Sequence, residues 1–167
     1  KSAPGTQRMA DRLEKIIRRT DPLRCAWMNG DRAVAYAQLL AKAANMPDMV
    51  ALQLATAQEL LKAGRTAEAI QAFGSLEQLM QQNPTLMDPR NQQALLMYQA
   101  ICRLRQAVDE NCRTTHNADS CLVPVRGAGV HTNREGALSA IQFLRAYLNK
   151  TPKDLLARWL LNLAYMY

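Results

Sequence analysis

Cys112, His116, Cys121 and His131 fall within one short segment, NCRTTHNADSCLVPVRGAGVH (residues 111–131), which holds two of the four cysteines and both histidines. Two thiolates and two imidazoles are a ligand set that suits a tetrahedral Zn²⁺. The spacing C-x3-H-x4-C-x9-H matches none of the familiar zinc-finger patterns, so Zn²⁺ stands as the alternative reading. Cys112 and Cys121 enclose eight residues, and a disulfide closes such a loop without strain where the turn brings the two Cα atoms within about 6 Å. That bridge, the expected one, contributes on the order of 2–3 kcal/mol by restricting the unfolded chain. A third reading makes either cysteine a nucleophile and either histidine its base, but no orienting group or oxyanion donor accompanies them. The histidines are instead expected to donate to backbone carbonyls that hold the loop.

Elsewhere the residues of catalysis are scattered. No G-x-S-x-G elbow, Walker loop, H-E-x-x-H, Rossmann glycine pattern, C-x-x-C or C-x-x-C-H occurs, so the chain is read as non-enzymatic with no cofactor. Cys102 shares a helix with Leu95, Tyr98 and Ile101 and is expected in the core, as are Trp27 and Trp159. The formal charge is +7, and cations crowd the first 32 residues. Acids dilute them and no series of aromatic side chains interleaves, Trp27 standing alone among them, which argues against nucleic acid. Every apolar run is interrupted well short of the roughly 20 residues a membrane-spanning helix needs.

The elements that must position these residues are helical. At 167 residues and 49% apolar content, with only nine aromatic residues, the composition favours helix over strand. Met9, Leu13, Ile16 and Ile17 form a stripe at helical spacing on a helix from about Thr6 to Arg19, ended by Asp21-Pro22. A second helix is expected from about Asp31 to Asn45, closed by Pro47, with Asp48 capping the next. DMVALQLATAQELLKAGRTAEAIQAFGSLEQLMQQNP then reads as a helical hairpin around Ala63-Gly64-Arg65. Ala57 and Ala69 permit close approach, Leu60 and Phe73 fill the contact, and Pro84 stops the second helix. Two long helices follow, about Asp88 to Val108 and Asn133 to Lys150, with the turn-rich loop of residues 109–132 inserted between them and a final helix through Tyr167.

Ala57, Leu60, Gly64, Ala69, Phe73 and Pro84 match the pattern of a tetratricopeptide repeat. Ala140, Leu144, Tyr147 and Pro152 recur as the second helix of another, and Leu161 to Tyr165, LNLAY, resembles the start of a third. Together with the ENC…HNADSC…GVH run, nearly the whole chain resembles the tetratricopeptide region of secreted bacterial proteins that carry FG-GAP repeats and a cartilage-acidic-protein-like domain. That resemblance implies export to the periplasm or beyond, oxidised cysteines and a protein-interaction or scaffold role.

The expected architecture is therefore an all-α, tetratricopeptide-like solenoid of about seven helices, with an N-terminal hairpin over residues 1–47 and repeats over residues 48–167. The last repeat is incomplete, and Trp159, Leu160, Leu163, Ala164 and Tyr167 are expected to seek cover from a protein partner. The alternative occupant is another copy of the chain, docking head to tail into a filament.

Overall fold

The computed structural model describes residues 3–86, 88–120 and 122–167. Among them the chain forms seven α-helices and no strand: α1 (Pro4–Arg19), α2 (Asn29–Leu40), α3 (Met46–Lys62), α4 (Thr66–Gln82), α5 (Pro89–Thr115), α6 (Glu135–Lys150) and α7 (Leu155–Met166). From α2 onward each helix packs mainly on its neighbours in the chain, the α5–α6 pair being the most extensive. α1 has no buried residue, and Met9, Leu13, Ile16 and Ile17 all stay exposed along its stripe.

Local signals explain most helix ends. The turn between α3 and α4 places Gly64 at φ 78°, and Arg65 N–H reaches the Leu60 carbonyl while Gly64 N–H reaches that of Leu61. That pairing satisfies the last carbonyls of α3 and needs a residue tolerant of positive φ. Pro47 does not close α2. It lies in the first turn of α3, where its missing N–H costs nothing, and Asn45 caps that helix by accepting from Asp48 N–H at 2.9 Å. α2 consequently ends at Leu40. Asp154 caps α7, accepting from Ala157 N–H at 3.0 Å and from the Tyr147 hydroxyl at 2.8 Å. Those two donors hold its carboxyl below the usual range.

Two clusters make up the core. The first joins Ala33 of α2, Ala57, Leu60 and Leu61 of α3, Ala69, Phe73, Leu76 and Met80 of α4, and Leu95 and Cys102 of α5. The small residues at 57 and 69 and the large ones at 60 and 73 are buried as the hairpin pattern requires, and Phe73 stacks on Tyr98 with ring centroids 5.4 Å apart. Burial pushes the Cys102 thiol up to about 12, that of an inert core residue. The second cluster joins Ala100 and Leu104 of α5, Ala140 and Leu144 of α6, and Ala157, Leu160 and Ala164 of α7.

Neither tryptophan is a core anchor. Trp27 is 89% exposed and Trp159 60% exposed. Smaller residues take the interior of α7, with Ala157, Leu160 and Ala164 on the face opposite Trp159.

Candidate functional site

The cysteine and histidine segment does not begin as a loop. α5 continues to Thr115, past the expected end at Val108, because its polar residues bond back into the helix. Asn111 Nδ2 donates to the Ala107 carbonyl, Thr114 Oγ1 to that of Glu110 and Thr115 Oγ1 to that of Asn111. Cys112 is therefore a helical residue in the last turns of α5, with its Sγ 3.5 Å from His116 Nδ1. The end of a helix presents carbonyls rather than the N–H donors an oxyanion requires, so this pair lacks the surroundings of a nucleophile and base.

The true loop spans residues 116–134 and is built around Asn117. Its side-chain oxygen accepts from Asp119 N–H at 2.9 Å, while its amide nitrogen donates to the carbonyls of Thr115 and Ala128. Ser120 Oγ accepts from Asn117 N–H and donates to the Thr115 carbonyl, which closes a compact side-chain-mimicked turn. Gly129 crosses against Asp119 so closely that a Cβ would lie 2.5 Å from the Asp119 carbonyl oxygen.

Asn111 fastens the far end of this loop to α5. Only 2% exposed, it accepts from Asn133 N–H at 3.0 Å and donates to the Asn133 carbonyl at 2.8 Å. Alanine at 111 is expected to destabilise the chain by about 2 kcal/mol, since a buried side chain with three hydrogen bonds is lost and Asn133 loses both backbone partners. Limited proteolysis would show faster cleavage within residues 116–134, and an unchanged cleavage rate would remove this fastening role.

The loop's other attachment is to the end of α7. Val125 N–H donates to the Met166 carbonyl at 3.2 Å, occupying one of the acceptors that a helix end leaves open. Beside it the His131 ring stacks on Tyr167, centroids 4.8 Å apart and planes within 4°. His131 is 4% exposed, and its Nδ1 has no hydrogen-bond partner among the described residues. Stacking and burial hold the ring, and its Nδ1 donates to no carbonyl among the described residues.

Burial pulls the His131 imidazole below its ordinary value. Between that depressed value and about 6.5 the unfolded chain binds a proton that the folded chain refuses, so stability falls as pH drops through this window. His131→Phe, which retains the stack, is expected to flatten that part of the dependence of the melting temperature on pH. Parallel curves for both proteins would exclude His131 as its source.

Between loop, α6 and α7 lies a cleft of about 320 Å³ lined by Val125, Val130, Leu138, Ile141 and Tyr165, with Arg134 the one charged side chain on its wall among the described residues. It opens beside the outer face of α7. Leu155 (77% exposed), Leu156, Trp159 and Met166 are exposed there, whereas Leu160 and Ala164, expected on the open face, are buried against α5 and α6. Leu163 and Tyr167 are half-buried. At about 100° per residue, Leu155, Trp159 and Met166 form one stripe opposite Ala157, Leu160 and Ala164. Trp159, expected to seek cover, is exposed on that stripe, and because α7 is apolar on two sides the sequence did not separate it from the buried Leu160 and Ala164.

Cys121 lies outside the described residues, so the expected Cys112–Cys121 bridge and the Zn²⁺ set of Cys112, His116, Cys121 and His131 both depend on a residue without a described position. Among the described residues Cys25, Cys102 and Cys112 form no bridge with one another, and no group of three or more His, Cys, Asp or Glu side chains converges on a metal position. Among the described residues no helix is long and apolar enough to cross a membrane. Compared with protein families, curated proteins and solved structures, the chain matches none of them.

Proposed function

We propose that the chain is a non-enzymatic, tetratricopeptide-like protein-interaction module of an exported protein, with α7 and the adjoining cleft as its binding surface. The observation that carries this reading is the two-faced apolarity of α7. One face is consumed by the second core cluster while Leu155, Leu156 and Trp159 stay exposed on the other. A helix apolar all round is ordinarily covered all round. Arg134 on the cleft wall, with Arg145 of α6 and Arg158 of α7 lining a second hollow further along the same two helices, suits a partner segment that is apolar at its centre and acidic at its border. In an oxidising compartment the same reading pairs Cys112 with Cys121. Mass spectrometry of unreduced protein showing two free thiols there would remove that pairing.

The second reading is assembly of copies head to tail, favoured by the presence of another exposed apolar stripe on α1 at the other end of the chain. A photo-crosslinking residue at position 159, introduced in the native host, tests both. A discrete heterologous adduct that disappears with Leu155→Glu supports the interaction module. An adduct to α1 of a second copy selects assembly, and no adduct in a folded protein defeats both.

A further inference from the structure

The helix that the binding surface does not use is α1. We propose that it is an interfacial helix, laying its apolar stripe on an anionic lipid surface while the remaining helices stand clear of it.

Three observations point there. The stripe is open, with Met9 57%, Leu13 51%, Ile16 61% and Ile17 54% exposed, and no residue of this 16-residue helix is buried. At about 100° per residue these four side chains occupy an arc of roughly 100°, and Arg8, Arg12, Lys15 and Arg19 fill an arc of about 60° along one border of it. The acids are engaged on the other side. Glu14 pairs with Arg18 at 2.7 Å and Asp11 accepts from Gln7 at 2.9 Å. An apolar stripe bordered by a ridge of cations is the pattern of a helix that lies in a membrane interface, where the apolar side enters the headgroup boundary and the cations meet anionic lipids.

Charge separates this occupant from the second copy. The exposed face of α7 is bordered by Arg158, which lines a surface hollow together with Arg145 of α6, and Asp154 is already committed to capping α7. Seating α1 on that face would bring cations against cations. An anionic lipid surface offers the opposite sign over a wide area, and an apolar boundary without requiring a groove shaped to α1.

The test is co-sedimentation of the full chain with vesicles of phosphatidylcholine alone and of phosphatidylcholine mixed with phosphatidylglycerol. Binding is expected only to the mixed vesicles, and to weaken at least about tenfold at high salt, as screening of surface charge demands. Leu13→Glu with Ile16→Glu, and separately Arg12→Glu with Arg19→Glu, are each expected to weaken it at least about tenfold. Because these side chains are exposed, the melting temperature should not change. Leu155→Glu, on α7, should leave vesicle binding intact, which keeps this inference separable from the α7 reading. It is overturned if the chain ignores mixed vesicles, binds both kinds equally, keeps its binding in the α1 variants or loses it in Leu155→Glu. It is equally overturned if α1 instead drives concentration-dependent self-association or takes up only an acidic peptide.

Discussion

Gly136→Ala is expected to lower the melting temperature by about 5 °C, because overpacking costs about 1–3 kcal/mol and each kcal/mol is worth about 2–4 °C in a chain of this size. Gly136 opens α6 against α5. A Cβ there would lie 2.8 Å from both the Ala107 nitrogen and the Arg103 carbonyl oxygen, and 3.0 Å from Ala107 Cα. These are backbone atoms inside a continuous helix, fixed by its hydrogen bonds, so no rotamer change relieves the clash. The two helices must separate along the most extensive contact in the fold, opening space around the fully buried Ala107 and Ala140. Gly74 supplies the control. It lies inside α4 with nothing within 4 Å of its would-be Cβ, so Gly74→Ala is expected to stabilise by about 0.5–1 kcal/mol through helix propensity. Opposite signs in thermal melts followed by circular dichroism would verify the close crossing. A stabilised Gly136→Ala would refute it.

Glu59→Ala should cost more, about 3 kcal/mol or above in urea unfolding, because it strands a cation in the interior. Glu59 is 3% exposed on α3, with Arg32 Nε of α2 3.2 Å from its Oε2. Asn29, with its amide turned to donate, reaches the same carboxylate at 3.0 Å. Arg32 in turn donates to the Leu23 carbonyl at 2.9 Å, so one pair fastens α2, α3 and the segment before α2. Lys62 also reaches Glu59, at 2.9 Å, but is 57% exposed and contributes little. Substituting both partners, Arg32→Met with Glu59→Leu, is expected to recover much of the loss, since no buried charge is then left without its counterpart. Equal losses in the single and double variants would show that packing, not the pair, was at stake.

The parts of the fold written in local chemistry were legible in the sequence. Gly64 announced the α3–α4 turn, and the alternation of small and large residues at 57, 60, 69 and 73 marked the faces that bury. Pro47 was ambiguous, because proline both ends a helix and opens one, and only the Asn45 cap decides between them. The extension of α5 was hidden because Asn111, Thr114 and Thr115 look like loop formers until their side chains are seen bonding back to helix carbonyls. At the candidate site the residues were named but their arrangement was not. His131 meets Tyr167 across 36 positions of sequence, a juxtaposition that no local pattern encodes. The apolar doubling of α7 made its open face unreadable until α5 and α6 had claimed one side.

The long connection between α5 and α6 also imposes an order in time. α3 and α4 are joined through residues 63–65, whereas α5 and α6 can meet only after residues 116–134 have been drawn closed. With loop-closure entropy growing as the logarithm of length, the difference is roughly 1.5 kcal/mol against early formation of the second contact. The α3–α4 hairpin is therefore expected to form before the α5–α6 contact, and pulse-labelled amide protons in α3 and α4 should become protected before those of α6. For that interval α6 would expose the face that α5 later covers while α7 keeps its outer stripe open, making the C-terminal hairpin the part of the nascent chain most in need of a chaperone.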